Sequence, residues 1–226
     1  MAKRKIILTE TQYNQLIREM AYPVKFDMAV FKSLGSFNKR ILYCNSLLQR
    51  ISSGSGRIVY KIDNEKVLKL AKNQKGIAQN QAESEDYYLR QIGCFPNIFE
   101  VDENGLWIEM QLARKVKVSD FKRITGYDFN TMCEWINYCA SMYNRFMSYN
   151  KSYEKLFKSE EWQEMLDNYS IFTYIDEYLS NYQLNSIGDL KRLSSWGIVT
   201  EDGEDRLVIV DFGLTDDVWN NYYKRG

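Results

Sequence analysis

A chain of 226 residues with 45% hydrophobic side chains can bury one substantial core, or two small lobes packed together, without metal or disulfide support. Lysine plus arginine equals aspartate plus glutamate at 30 each, so no global field argues for nucleic acid or an anionic membrane surface. The chain has no histidine, which removes the commonest general base, the commonest metal ligand and every Ser-His or Cys-His nucleophile pair. The four cysteines, Cys44, Cys94, Cys133 and Cys139, form no C-x-x-C pair; reduced thiols in a cytosol-like compartment are expected, and a zinc site is not.

No apolar run approaches the roughly 20 residues needed to cross a bilayer, and the basic start, Met1 to Ile7, leads into polar residues rather than a secretory core. The expectation is a soluble chain. Its aromatic residues, 17 Tyr, 11 Phe and 5 Trp, are spread along the sequence, which favours core over a docking patch.

The first predicted element is a helix over Thr9 to Met20, with Thr9 as N-cap, Gln12 closing a capping box and Leu8 placed to staple against Tyr13. Tyr13, Leu16, Ile17 and Met20 make one apolar stripe, and a helix this short is marginal alone in water, so the stripe must dock on its own body or on another protein. Pro23 separates this arm, residues 1–22, from a helical lead-in over 23–50, which reads as helix from Asp27 to Ile51 with a break at Gly35.

Residues 51–113 read as a strand-rich lobe. Arg57 to Ile62 and Val67 to Ala71 are strands across a turn at Asp63-Asn64-Glu65; a helix follows from Gly76 to Ile92, then strands near Ile98 to Val101 and Leu106 to Met110. Residues 114–226 read as helix-rich, with helical periodicity from Tyr127 to Leu184. A final hairpin joins Trp196–Val199 to Leu207–Val210 around Asp202-Gly203.

Four groups of residues carry chemistry. Gly54-Ser55-Gly56 opens a strand, where backbone without side chains can approach phosphate oxygens. Lys69 stands mid-strand in Val67-Leu68-Lys69-Leu70-Ala71, where a cation is costly unless a partner holds it. Glu83 and Glu85 on the next helix are the candidate partners: Glu85 shares a face with Leu89 and Ile92, and Glu83 keeps an N-x-x-E spacing from Asn80. Gly188-Asp189-Leu190-Lys191 then precedes the hairpin that ends in Val210-Asp211-Phe212-Gly213.

Taken in this order, the groups resemble the glycine loop, third-strand lysine, helix glutamate, catalytic D-L-K and metal-binding D-F-G of the protein-kinase-like superfamily. The resemblance implies an α+β, two-lobe kinase-like fold. It implies ATP and magnesium as cofactors, with Gly54, Gly56, Lys69 and Glu83 or Glu85 on the nucleotide side, Asp189 orienting or deprotonating the acceptor, and Asp211 on the metal. The string Val67 to Asn73, with Gly76-Ile77-Ala78-Gln79-Asn80 after it, is similar to kinase-fold proteins of tailed bacteriophages, the crAss-like group among them. The opening Leu8-Thr9-Glu10 with Gln12 is similar to amino-terminal segments of the same group. That likeness implies the host cytoplasm or a phage virion as the location.

Four departures qualify the resemblance. Ser194 stands where kinases carry the asparagine for the second metal, and Ile187 where they carry the histidine of H-R-D. The last glycine of the full loop motif is missing. The sequence also ends soon after Gly213, so a truncated C-lobe without an activation segment is expected. The first reading is a degenerate, pseudokinase-type nucleotide-binding or adaptor protein. The alternatives are a structural virion component that uses the fold without catalysis, and an active ATP- and magnesium-dependent phosphotransferase.

Overall fold

The computed structural model describes Thr9 and residues 25–85, 94–181 and 187–224. The helix expected at Thr9 to Met20, with Tyr13, Leu16, Ile17 and Met20, lies outside the described residues, as does the stretch 86–92 expected to continue the helix after Lys69. The chain divides into two units, Met1–Gln49 and Arg50–Gly226.

In the first unit, Asp27 caps α1 (Met28–Ser33) by accepting the Ala29 and Val30 amides at 2.8 and 3.2 Å, and Ser36 caps α2 (Phe37–Leu47). Phe26 lies between Phe31 and Tyr43, with ring centroids 5.7 and 5.6 Å away. The helix expected to reach Ile51 stops at Leu47. Leu48 is already extended, and Ile51 belongs to a strand, the state that a β-branched residue beside Ser52-Ser53 favours.

The second unit opens with a five-stranded sheet in the order β1 (Gln49–Ser53), β2 (Arg57–Lys61), β3 (Lys66–Ala71), β5 (Trp107–Gln111) and β4 (Ile98–Val101). The β2–β3, β3–β5 and β4–β5 pairs are antiparallel. β3 is the middle strand, so Val67 to Ala71 are all buried, and Lys69 is paired between Val59 and Ile108. Helix α3 (Gln74–Glu85) connects β3 towards β4.

The helix-rich part holds α4 (Val118–Thr125), α5 (Phe129–Tyr143), the short α6 (Glu154–Phe157), α7 (Glu160–Asn168) and α8 (Ser170–Asn181), followed by α9 (Ile187–Leu190). Two elements here were not expected from periodicity. α4 precedes the predicted helical region, started by Asp120, whose carboxylate accepts the Lys117 amide at 2.8 Å. The two-residue strand β6 (Arg114–Lys115) adds a third strand to the hairpin of β7 (Trp196–Glu201) and β8 (Glu204–Ile209). That hairpin turns where expected, on Asp202 and Gly203, both with positive φ.

One hydrophobic core runs from the sheet into the helices, taking in Ile108, Met110, Phe121, Trp135, Trp162 and Trp196. Cys44, Cys133 and Cys139 are free thiols, and burial pushes Cys44 up to about 12. After the hairpin, Thr215 caps α10 (Asp216–Tyr222), a further unexpected element, which packs on α3. The fold is α+β. An antiparallel sheet with a helix between its third and fourth strands is followed by helices and then by a hairpin that leads into Asp211-Phe212-Gly213. Among the described residues no helix is long and apolar enough to cross a membrane.

Candidate nucleotide site

Lys69 projects from the middle of the sheet into a closed set of charges. Its Nζ donates to Glu83 Oε2 at 2.6 Å and to the Val210 carbonyl at 2.7 Å, and it is only 4% exposed. Glu83, fully buried on α3, also receives the Arg57 guanidinium on Oε1 at 2.8 Å. The same Oε1 accepts the backbone amides of Phe212 and Gly213 at 3.4 and 3.2 Å. One carboxylate therefore ties β3, β2 and the D-F-G turn together. Burial alone would raise its pKa, but the charges of Arg57 and Lys69 bring Glu83 down to about 2. On Lys69 burial works the other way and lowers the pKa, against the pull of Glu83.

Of the two candidate glutamates, Glu83 is the one that meets Lys69; Glu85, two residues on, is exposed. Asn80 and Glu83 are three residues apart on α3 and so share the face that looks at the sheet. Asn80 donates to the Gly105 carbonyl at 2.8 Å and accepts from Arg57 at 3.3 Å.

Arg57, which motif reading passed over, is central to this geometry. It follows the Gly54-Ser55-Gly56 turn and is 7% exposed. Its guanidinium bridges Glu83 and Asp211, with Nη2 2.8 Å from each carboxylate. Burial opposes its charge, but Glu83 and Asp211 more than offset that and raise its pKa. The available signal was a cation at the start of a strand whose next residues, Ile58-Val59-Tyr60, are apolar.

The glycines have a different local role from the one their spacing suggests. A Cβ on Gly56 would come within 2.9 Å of the Gly76 amide nitrogen, and one on Gly76 within 2.2 Å of the Gly56 carbonyl oxygen, so the pair lets β2 lie against the start of α3. Gly54 has open space around it, and its carbonyl accepts from Lys72. Asn73 and Tyr223 hold Ser55 at 3.1 and 3.2 Å.

At the end of β8, Phe212 stacks on Phe95 with centroids 3.7 Å apart, and Gly213 lies so close to α3 that a Cβ would fall 2.6 Å from the Gln79 carbonyl oxygen. These contacts fix Asp211, whose side chain is 52% exposed. Asp189 is half-buried on α9, paired with Arg192 at 2.9 Å. Its carboxyl is raised by burial, and the charge of Asp211 raises it further. Lys191 points elsewhere and donates to Asn137 at 2.9 Å.

The resemblance implies magnesium on Asp211 and Ser194, and these residues do not fit it as arranged. Asp211 already carries the Arg57 guanidinium on Oδ1. Ser194 is exposed on a short 3-10 turn, Leu193–Ser195, and among the described residues no group of three or more Cys, Asp or Glu is gathered to hold a metal.

No family model matches the chain, and no curated protein does. Among solved structures, a streptomycin–ATP–APH(2″)-IIa ternary complex is similar at 12% identity, with a TM-score of 0.33, over 93% of this chain and 72% of that one.

Proposed function

We propose that the chain is a degenerate kinase-like module that binds a nucleotide without transferring its phosphate. The observation that carries this reading is that Asp211, the carboxylate on which phosphoryl transfer would need a metal, is engaged inside the protein by the Arg57 guanidinium at 2.8 Å. The Lys69–Glu83 pair keeps the architecture of a phosphate site, while the cation on Asp211 and the exposed Ser194 argue against a two-metal transfer centre. The test is ATP binding measured beside release of phosphate from labelled ATP: binding without turnover supports the reading, and turnover that disappears in Asp189→Asn overturns it.

A second reading, an active phosphotransferase, has one observation in its favour. The raised carboxyl of Asp189 next to the charge of Asp211 is the kind of pairing a general base uses. In either case the amino-terminal stripe of Tyr13, Leu16, Ile17 and Met20 is proposed as a docking segment for another protein, with a phage assembly as the proposed setting.

A further inference from the structure

We propose that Arg57 is the resident cation of this site: its guanidinium holds Oδ1 of Asp211 and keeps a fixed positive charge beside the carboxylate that a divalent metal would need, so the site receives the polyphosphate of a nucleotide as the metal-free anion. The inference deepens the nucleotide-binding reading and rests on it for the identity of the ligand, though not for the exclusion of metal.

The charges around Lys69 balance. Lys69 and Arg57 supply two positive charges, Glu83 and Asp211 two negative ones, all joined by contacts of 2.6 to 2.8 Å. A divalent cation on Asp211 would add two positive charges beside a buried guanidinium that cannot lose its proton. Arg57 is also unable to swing aside without breaking other contacts. Nη1 is held by Asn80 at 3.3 Å, Asn80 is held by the Gly105 carbonyl, and the Arg57 backbone is paired with Ala71 in the sheet. The positive charge is therefore built into the fold rather than borrowed from solvent.

The exposed side of Asp211 explains what this arrangement does for a ligand. An uncompensated carboxylate half open to solvent would repel a polyphosphate. With Arg57 on one oxygen, that repulsion is met from within the protein, and a nucleotide needs no accompanying metal to approach Lys69.

The experiment is a manganese titration, followed by electron paramagnetic resonance, of the whole chain as wild type, Asp211→Asn, Arg57→Gln and the double variant. ATP titrations in EDTA and in magnesium run beside it. Wild type and Asp211→Asn are expected to give the same manganese curve, and Arg57→Gln to gain a site that the double variant lacks. Wild-type ATP affinity is expected to agree within about threefold between the two buffers. A manganese site in the wild type that Asp211→Asn removes overturns the proposal, as does ATP binding weakened by about tenfold or more in EDTA. The comparison of wild type with Asp211→Asn decides the point even if Arg57→Gln fails to fold. Absence of ATP binding in every buffer would overturn the nucleotide reading and the ligand half of this proposal, while the manganese curves would still decide whether Arg57 excludes metal.

Discussion

The molecule contains two clusters of the same formal makeup, two cations and two carboxylates, in opposite surroundings. Around Lys69 the partners are Arg57, Glu83 and Asp211, with three of the four side chains under 10% exposed. Near the hairpin, Arg114 and Arg123 pair with Asp120 and Asp205, and the two arginine side chains are 44% and 52% exposed. Both clusters join distant segments: Glu83 holds β2, β3 and the D-F-G turn, while Asp205 on β8 holds Arg114 of β6 and Arg123 of α4. What differs is water. Solvent can replace a lost partner in the second cluster and cannot in the first, so the same substitution should have very different costs.

The largest effect is expected from Glu83→Gln, which leaves Lys69 and Arg57 buried with one carboxylate fewer. Breaking a buried pair in this way costs about 3–5 kcal/mol, and a thermal midpoint lower by roughly 10 °C or more should appear by calorimetry. A midpoint within error of wild type would show that water reaches the cluster. Next comes acidification. Glu83 titrates at about 2 in the folded chain against 4.5 unfolded, so between those values the unfolded state binds the extra proton and stability falls as pH drops. The loss is on the order of 3 kcal/mol, complete below about pH 2, and the slope should flatten in Glu83→Gln. An unchanged slope would assign the acid transition to other carboxylates.

Smaller is Tyr223→Ala, which removes the hydroxyl at Ser55 and the ring under Lys75, 4.5 Å from its ammonium. Amide exchange at residues 54–56 should speed up while the midpoint stays nearly unchanged; unaltered exchange would mean that α10 does not steady the glycine turn. Smallest is Arg123→Ala in the exposed cluster, where Arg114 still pairs with both Asp120 and Asp205. A midpoint shift of no more than about 2 °C is expected, and a larger one would erase the contrast between the clusters.

The parts of this architecture that could be read from sequence are those with a strong local pattern. An apolar run with one lysine in it located β3, the Asp63-Asn64-Glu65 turn fixed the hairpin before it, and Asp202-Gly203 fixed the last one. Other elements left no such trace. Two residues of β6 have no periodicity to detect, and α4 begins after Lys117 without the small polar cap that marks a helix start. α10 did carry a signal, Thr215 before Asp216-Asp217, an N-cap followed by an acidic first turn.

Within the site, the third-strand lysine and D-F-G aspartate could be found by residue type. The choice between Glu83 and Glu85 depended on which face of α3 meets the sheet, and the Asn80 to Glu83 spacing held that answer. Arg57 was hidden because a strand residue beside a glycine turn is most often exposed. Its burial follows from the two carboxylates that β8 and α3 bring to it, which no local pattern encodes.

The most direct test of the degenerate-site account is calorimetric titration of the full chain with ATP in EDTA, wild type beside Lys69→Met. Saturable binding that Lys69→Met abolishes is the predicted result; no binding to the wild type in the millimolar range, or binding that requires magnesium and leads to phosphate release, would contradict it.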